Sequence, residues 1–314
     1  PVPRIHCACP LTMPALLSIF LDDLVPVFAI ASVGFWLARV HGARVKTVSH
    51  VVFYATLPCM VFEMLLRASH TGLHLDRMVW LALAMTAAMA VVALVAARAL
   101  GLDRVGTRAL LLVAMFSNTG NYGLPVVRFA FGDSALAYAT AFFLTGSVLT
   151  YTVGAWLGAG ARGTAGAAFG RVVRVPAIYG MLVALVVMWM GWQVPVAIMR
   201  PVELLGEASL PLMMLVLGMQ LEQAALPARP AIVGSAVAVS LLAAPVVALT
   251  LTAALGITGA ERQAAVMLSS MPVAVSTTIV AVEFDLWPEF VTSAVFVSTV
   301  ASPFTLTALI AYLK

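Results

Sequence analysis

A polar stretch, SNTGNYGLP at residues 117–125, lies inside an otherwise apolar run from Ala109 to Phe131. Pro125 removes a backbone donor and disfavours helix at the preceding residue, and each of the two glycines weakens a helix by about 1 kcal/mol relative to alanine. In hydrocarbon, unpaired backbone groups are costly, so irregular backbone is tolerated only where it is buried in protein or lines a wet cavity. The stretch therefore predicts a functional break in a membrane helix.

A second polar stretch with a proline, SSMPVAVSTT at residues 269–278, interrupts another apolar run. It has no glycine pair, so we expect a shallower break there. Two broken helices that meet at mid-membrane would direct two helix N-termini at one point, and each N-terminus carries about half a positive charge together with free N–H groups. Such a place favours an anion, above all a carboxylate.

The predicted binding residues are the polar, glycine and proline positions of these two stretches. They are Ser117, Asn118, Thr119, Gly120, Asn121, Tyr122, Gly123 and Pro125 in the first, and Ser269, Ser270, Met271 and Pro272 in the second. The alternative is structural, since proline and small residues also kink membrane helices and allow close helix packing.

The composition identifies an integral membrane protein of the all-α class. Hydrophobic residues make up 63% of the 314 residues and charged residues 10%, and the mean hydropathy is +1.07. A soluble domain is about half apolar and about a quarter charged. The 17 basic residues are scattered at the ends of apolar runs, which argues against a nucleic-acid partner. Three cysteines give neither a disulfide framework nor metal-ligand spacing, and no cofactor is predicted.

Ten apolar runs are long enough to cross a bilayer, which needs roughly 20 residues per helix. The predicted spans are Leu16–Val40, Thr47–Leu66, Met78–Leu100, Thr107–Phe131, Ser134–Leu157, Val175–Gly191, Pro201–Leu221, Ala231–Leu255, Ala260–Val282 and Pro288–Leu313.

The chain also repeats itself at a constant offset. ATLPCM at residues 55–60 resembles ASLPLM at 208–213, 153 residues later, and the span ends at 132–133 and 284–285 are 152 residues apart. Two agreeing offsets suggest a duplication of five helices. Because five is odd, the second copy enters the membrane inverted, which is the construction of many secondary transporters with a midplane substrate site.

The repeat and the loops predict the domain organisation. Residues 1–12 form a disordered N-terminal extension, 13–158 the first five-helix repeat, 159–174 a cytoplasmic loop and 175–314 the second repeat. Lys and Arg are more frequent in cytoplasmic loops. With both termini on the non-cytoplasmic side of the inner membrane, the inside loops hold ten basic residues and the outside seven.

The motifs resemble those of a known family. FSNTGNYGLPVV at 116–127 resembles the fourth-helix signature of the auxin efflux carrier family, and three further helices support the likeness from residue 13 onward: LPCMVF at 57–62, GEASLPLMMLVLGMQL at 206–221 and MPVAVSTTIVAVEF at 271–284. The chain is identified as a bacterial member related to the plant PIN carriers.

The resemblance implies two inverted five-helix repeats, a scaffold domain and a transport domain with elevator-like movement, and a homodimer formed through the scaffold helices. It implies that helices 4 and 9 cross at their breaks, where Asn118, Pro125 and Pro272 mark the crossover. This sequence departs from the plant pattern, because Thr119 and not proline follows Asn118 and the long cytosolic loop is missing. The substrates implied are carboxylates such as malonate or malate, or auxin-like acids.

Two acidic residues inside predicted spans are candidates for proton coupling, since intramembrane ionisable groups are functional candidates by default. Glu207 lies about 9 Å into its helix from Pro201, at 1.5 Å per residue, with no basic residue four positions away. Glu63 has Arg67 at i+4, so an ion pair is the simpler explanation for it.

Two other classes of function compete with an anion carrier or uniporter. An intramembrane enzyme lacks support, because the spans carry no metal-protease or Ser/His motif; we expect no enzyme. A sodium-coupled symporter of bile-acid-carrier-like architecture would need an oxygen-rich cation site. Candidate ligands near the breaks are Asn118, Ser269, Ser270, Thr277 and Thr278, with no carboxylate among them. The substrate and the coupling ion stay open.

Overall fold

The computed structural model describes residues 13–70, 75–159, 176–223 and 230–314. The predicted N-terminal extension 1–12 and residues 160–174 of the predicted cytoplasmic loop lie outside the described residues. Within the described ranges the regular elements are all helices. In chain order they are α1 Met13–His41, α2 Val45–Arg67, α3 Asp76–Ala99, α4 Arg104–Met115, α5 Thr119–Gly158, α6 Pro176–Met190, α7 Val196–Glu222, α8 Pro230–Ala254, α9 Gly259–Ser269, α10 Ser276–Glu283 and α11 Pro288–Leu313.

Seven of these helices (α1, α2, α3, α5, α7, α8 and α11) are long and apolar enough to cross a membrane, and α6 is a shorter apolar helix. The prediction of an all-helical, multi-pass membrane protein is therefore confirmed. The remaining helices α4, α9 and α10 adjoin breaks in the chain. The count of ten spans and the inverted repeat stay predictions.

The long helix α5 bends at Gly132, which has φ 80° and ψ −169°. This conformation is essentially restricted to glycine, because any Cβ would clash with the backbone. The bend falls where the sequence predicts the boundary between the fourth and fifth spans.

Prolines widen four of the helices locally. The π-helical turns Phe20–Leu24, Val52–Thr56, Thr119–Gly123 and Val239–Ala243 each end two residues before a proline. A proline ring clashes with the carbonyl four residues earlier and donates no hydrogen bond. A wider turn before the proline relieves this conflict without ending the helix.

The helices pack as two groups. In the four-helix group, α1 packs along the second half of α7, and α2 packs against α6 and the first half of α7. In the seven-helix group, α5 packs against α3 and α9, α8 packs against α3 and α9, and α11 packs against α4 and α8. The two groups meet mainly where α7 contacts the beginning of α5 and where α1 contacts α11.

Glycines allow the backbones of α1 and α7 to approach closely. A Cβ on Gly218 of α7 would overlap the Ala31 carbonyl oxygen of α1, and one on Gly34 of α1 would overlap the Leu215 carbonyl oxygen of α7. Membrane helices associate through such van der Waals contact, because lipid removes the hydrophobic drive between them. The α1–α7 pair is therefore packed backbone against backbone at two glycines.

We expect Gly218→Ala to destabilise the protein by about 1–3 kcal/mol, the usual cost of overpacking, because the new methyl group meets backbone that has no room to move. The measurement is thermal unfolding of the detergent-solubilised protein. Gly234→Ala is the matched control: it is a helical glycine whose Cβ would have no neighbour within 4 Å. Equal melting temperatures for the two variants would contradict the close approach.

Candidate functional site

The two breaks in the chain meet and pair with each other. The first break, residues 116–118, separates α4 from α5, and the second, residues 270–275, separates α9 from α10. The Asn118 N–H donates to the Pro272 carbonyl at 2.7 Å, and the Ala274 N–H donates to the Phe116 carbonyl at 2.9 Å. Each break therefore satisfies backbone groups that the other leaves without a helical partner.

Two serines add hydrogen bonds around this pairing. The Ser117 hydroxyl donates to the Leu268 carbonyl at 2.9 Å, and the Val273 N–H donates to the hydroxyl oxygen of Ser298 at 3.1 Å. Ser298 lies on α11 and is fully buried. It was not among the predicted site residues; its only signal in the sequence is a hydroxyl in an apolar helix.

The structure corrects the predicted position of the first break. Gly120 and Gly123 lie in the π-helical turn that opens α5, and Pro125 occupies an early position of the α-helix that follows. The glycines serve packing instead: a Cβ on Gly120 would lie 2.9 Å from Phe143 Cε2, and one on Gly123 would lie 2.6 Å from Leu268 Cδ2. The unwound residues precede the glycines.

The expectation of a shallower second break was also wrong. Residues 270–275 are non-helical, twice the length of the 116–118 break. Pro272 has no N–H to give to a helix, and the N–H groups of Val273 and Ala274 bond to α11 and to the first break. These external partners replace the glycine pair as the reason for unwinding.

A cavity of about 1220 Å³ extends from the breaks to the end of the molecule that carries the α1–α2 connection. Six of the predicted site residues line it: Ser117, Asn118, Thr119, Gly120, Asn121 and Ser269. The other lining residues at this depth include Gln220 of α7, Ala274, Val275, Ser276 and Thr278. The cavity thus reaches the first turns of both α5 and α10.

The other six predicted residues do not line this cavity: Tyr122, Gly123, Pro125, Ser270, Met271 and Pro272. Tyr122 is fully buried; its hydroxyl accepts a hydrogen bond from Ser302 at 3.2 Å, and its ring packs edge-on against Phe28 at 5.7 Å. The Ser270 hydroxyl donates to the Val266 carbonyl of its own helix. These residues pack on the side of the two breaks that faces away from the cavity.

Two asparagine amides at the inner end of the cavity are almost completely buried. Asn118 and Asn121 are 6% and 7% exposed. Asn121 Nδ2 donates to Gln220 Oε1 at 3.3 Å. Asn118 Nδ2 and Asn121 Oδ1 have no hydrogen-bond partner in the part of the chain that the structure describes. Buried polar groups are nearly always paired, so two unpaired amide atoms that adjoin a cavity indicate a ligand site.

Gln220 was not predicted from the sequence, although it lies within the quoted seventh-helix motif. Its position near the end of an apolar helix resembles an interfacial residue. Only the packing of α7 against the start of α5 brings it to Asn121.

The charged side chains of the cavity come from the α1–α2 connection, the start of α2 and the ends of α7 and α10. They are Arg44, Lys46, Glu222 and Glu283, and the other titratable lining residues are His50, Tyr54 and Tyr151. Glu222 is the last residue of α7 and pairs with Arg39 at 3.3 Å. The inner end offers neutral amides, hydroxyls and helix N-termini.

Neither candidate for proton coupling lines this cavity. Glu63 is 3% exposed and pairs with Arg67 at 2.7 Å, the ion pair that the i+4 spacing predicts, and Arg67 also lies 3.6 Å from Glu203. Glu207 is exposed at the end of the first segment of α7. The coupling roles of Glu63 and Glu207 stay predictions.

Comparison with known proteins places this geometry in context. A family model described as membrane transport protein matches residues 19–310. An uncharacterized transporter of Methanothermobacter thermautotrophicus is 29% identical over 82% of this chain and 85% of its own length. An uncharacterized transporter of Methanocaldococcus jannaschii is 27% identical over 62% and 64%. A Rhizobium meliloti protein named "Putative malonate transporter" is 23% identical over 91% and 93%.

We expect Ser298→Ala to destabilise the crossover by about 1–3 kcal/mol, because it leaves the buried Val273 N–H without an acceptor. Thermal unfolding in detergent measures this loss, and Ser298→Thr, which keeps the hydroxyl, should recover most of it. Thr250→Val is the control, since that exposed hydroxyl bonds only within its own helix. A Ser298→Ala protein as stable as the control would show that Ser298 does not support the break.

Proposed function

Since the chain belongs to the membrane transport protein family, the family of the auxin efflux carriers, we propose that it carries small organic anions across the cytoplasmic membrane. The family match confirms the resemblance predicted from the motif at residues 116–127. The substrates we propose are carboxylates, and the Rhizobium meliloti relative named for malonate supports this class. The binding site is the inner end of the cavity.

The observation that carries this proposal is the meeting of two helix N-termini with the Asn118 amide. α5 begins at Thr119 and α10 begins at Ser276, directly after the paired breaks. The first N–H groups of a helix have no partner within the helix, and its N-terminus bears a partial positive charge. The Thr119, Thr277 and Thr278 N–H groups already donate to carbonyls of the breaks. The site therefore offers a carboxylate the partial positive charge of the two N-termini together with the unpaired Asn118 Nδ2.

An elevator-type movement is the mechanism we propose. The four-helix group is the scaffold, and the seven-helix group, which contains both breaks, is the moving part. The pairing of the breaks binds α4, α5, α9 and α10 into one unit, while the polar contact between Asn121 and Gln220 joins that unit to the scaffold. The cavity lies along this boundary, where sliding would change its access.

The present conformation corresponds to an inward-open state if the termini face outward as predicted. The cavity opens beside Arg44 in the α1–α2 connection, which the distribution of basic residues predicts to be on the inside. Towards the opposite end of α1, Lys314, which follows α11, pairs with the buried Asp23 at 2.5 Å. This ion pair joins the scaffold to the moving group on the side away from the cavity mouth.

The helix pairing of the scaffold supports the inverted repeat. α1 packs on α7 and α6 packs on α2, so the first helix of each proposed repeat contacts the second helix of the other. A two-fold relation between the halves requires this exchange. A homodimer through scaffold helices remains part of the proposal by resemblance.

Sodium coupling is the alternative. Asn118, Ser269 and Thr278 line the cavity, whereas the Thr277 hydroxyl donates to the Ala274 carbonyl at 2.6 Å. Uptake of labelled malonate into proteoliposomes, with and without Na⁺ or a pH gradient, separates the mechanisms. Uptake that requires Na⁺ would establish the symporter and exclude proton coupling and uniport.

We expect Asn118→Ala to lower carboxylate uptake by about tenfold or more, since one hydrogen bond to a charged group contributes about 1.5–3 kcal/mol. Labelled uptake into proteoliposomes measures the change, with the amount of inserted protein held equal. Ser49→Ala, which alters a lining residue near the mouth on α2, should leave uptake nearly unchanged. Normal uptake by the Asn118→Ala protein would refute a carboxylate site at the crossover.

A further inference from the structure

We propose that the transported species is a monoanion that carries, besides its carboxylate, one neutral polar group, and that Gln220 selects for this second group. The inference rests on the proposed carboxylate site and specifies its substrate class. Hydroxy acids, half-amides of dicarboxylic acids and singly protonated dicarboxylic acids belong to this class, while unprotonated dicarboxylates do not.

The charge available at the inner end of the cavity matches one negative charge. Two helix N-termini contribute about half a positive charge each. The charged side chains that line the cavity balance in number, Arg44 and Lys46 against Glu222 and Glu283, and its other titratable side chains are those of His50, Tyr54 and Tyr151. A second carboxylate at the crossover would meet no surplus positive charge from these side chains, and burying an unpaired charge is costly.

The amide pair beyond Asn118 suits a neutral polar group. Asn121 and Gln220 are joined by one hydrogen bond, and each amide has two N–H donors and one carbonyl acceptor. The one hydrogen bond between the two amides uses one N–H and one carbonyl oxygen. The pair therefore keeps further N–H donors and a carbonyl acceptor for a ligand, and this holds if either amide group is flipped. A hydroxyl, an amide or a protonated carboxyl group both donates and accepts, whereas a carboxylate only accepts.

The position of the pair explains why selection falls to Gln220. Asn118 and Asn121 sit on either side of the start of α5 in the moving group, so they travel with the ligand. Gln220 belongs to α7 of the scaffold and lies two residues before the end of that helix. Gln220 reaches the site from the scaffold side of the boundary between the two groups. It can therefore bind the second polar group of the ligand in this conformation.

The experiment compares matched anions by solid-supported-membrane electrophysiology on proteoliposomes of the full chain. The probes are malonate, its half-amide malonamate, and butanoate, which has no second polar group. Malonamate should give an apparent affinity that is constant between pH 6 and pH 8. That of malonate should fall by about tenfold per pH unit above its second pKa, in step with the monoanion fraction.

Two variants show whether Gln220 is responsible for the preference for malonamate over butanoate. Gln220→Leu should reduce the preference for malonamate over butanoate by about tenfold while butanoate currents persist. Gln223→Leu, at the neighbouring amide that also lines the cavity, should keep the wild-type preference. Retention of this preference in Gln220→Leu would overturn the role of Gln220.

The outcomes for the wild type separate the two levels of the proposal. Malonate currents that do not depend on pH, or malonate preferred over malonamate at pH 8, would overturn the monoanion class while leaving carboxylate transport intact. The absence of both current and labelled uptake with every carboxylate would refute the proposed transport itself, and the monoanion class with it.

Discussion

The structure depends on how two unwound segments satisfy their backbone groups at membrane depth. An unpaired N–H or C=O in hydrocarbon costs several kcal/mol, so a single broken helix would be unstable there. Here the Asn118 and Ala274 N–H groups each donate to a carbonyl of the opposite break, and the Val273 N–H donates to the Ser298 hydroxyl oxygen. Each break is possible because the other is present.

This mutual dependence has a consequence for motion. The hydrogen bonds across the breaks tie four helix segments into one unit, and within it Gly123 permits α5 to pack tightly against Leu268 of α9. The scaffold is held by a different device, backbone contact at Gly34 and Gly218. Between the two units, the described residues make polar contacts near the cavity and near Asp23. The closest backbone contacts lie within each group, an arrangement compatible with the elevator-type movement that we propose.

The sequence predicted the protein class and the presence of the two helix breaks better than the local geometry of the breaks. Apolar run length and low charge are properties of composition, so the membrane helices could be predicted directly. Proline and glycine marked both breaks, yet the unwound residues precede Gly120, because tertiary hydrogen bonds and not local propensity decide where the helix stops. Glu63 was correctly paired with Arg67 from spacing alone, since both residues are on one helix.

Residues that act across long sequence distances were beyond such reasoning. Gln220 and Ser298 gain their roles from contacts with α5 and with the second break, 99 and 25 residues away respectively. Periodicity within one helix carries no information about these partners. Tyr122 was predicted as a binding residue for the same reason: its polar group is evident from the sequence, but its burial against Phe28 and Ser302 is not.

A neutral binding site also suits the elevator-type movement that we propose, in which the site itself would cross the membrane interior. A lysine or arginine at the crossover would bind anions more strongly, but it would have to travel unpaired through the hydrophobic region whenever the site is empty, at considerable cost. In the transport cycle that we propose, helix N-termini and the amides of Asn118 and Asn121 would hold an anion through dipoles and bring no net charge of their own. The empty site would then be uncharged and the loaded site would carry a single, partly compensated charge, so that either could cross the bilayer.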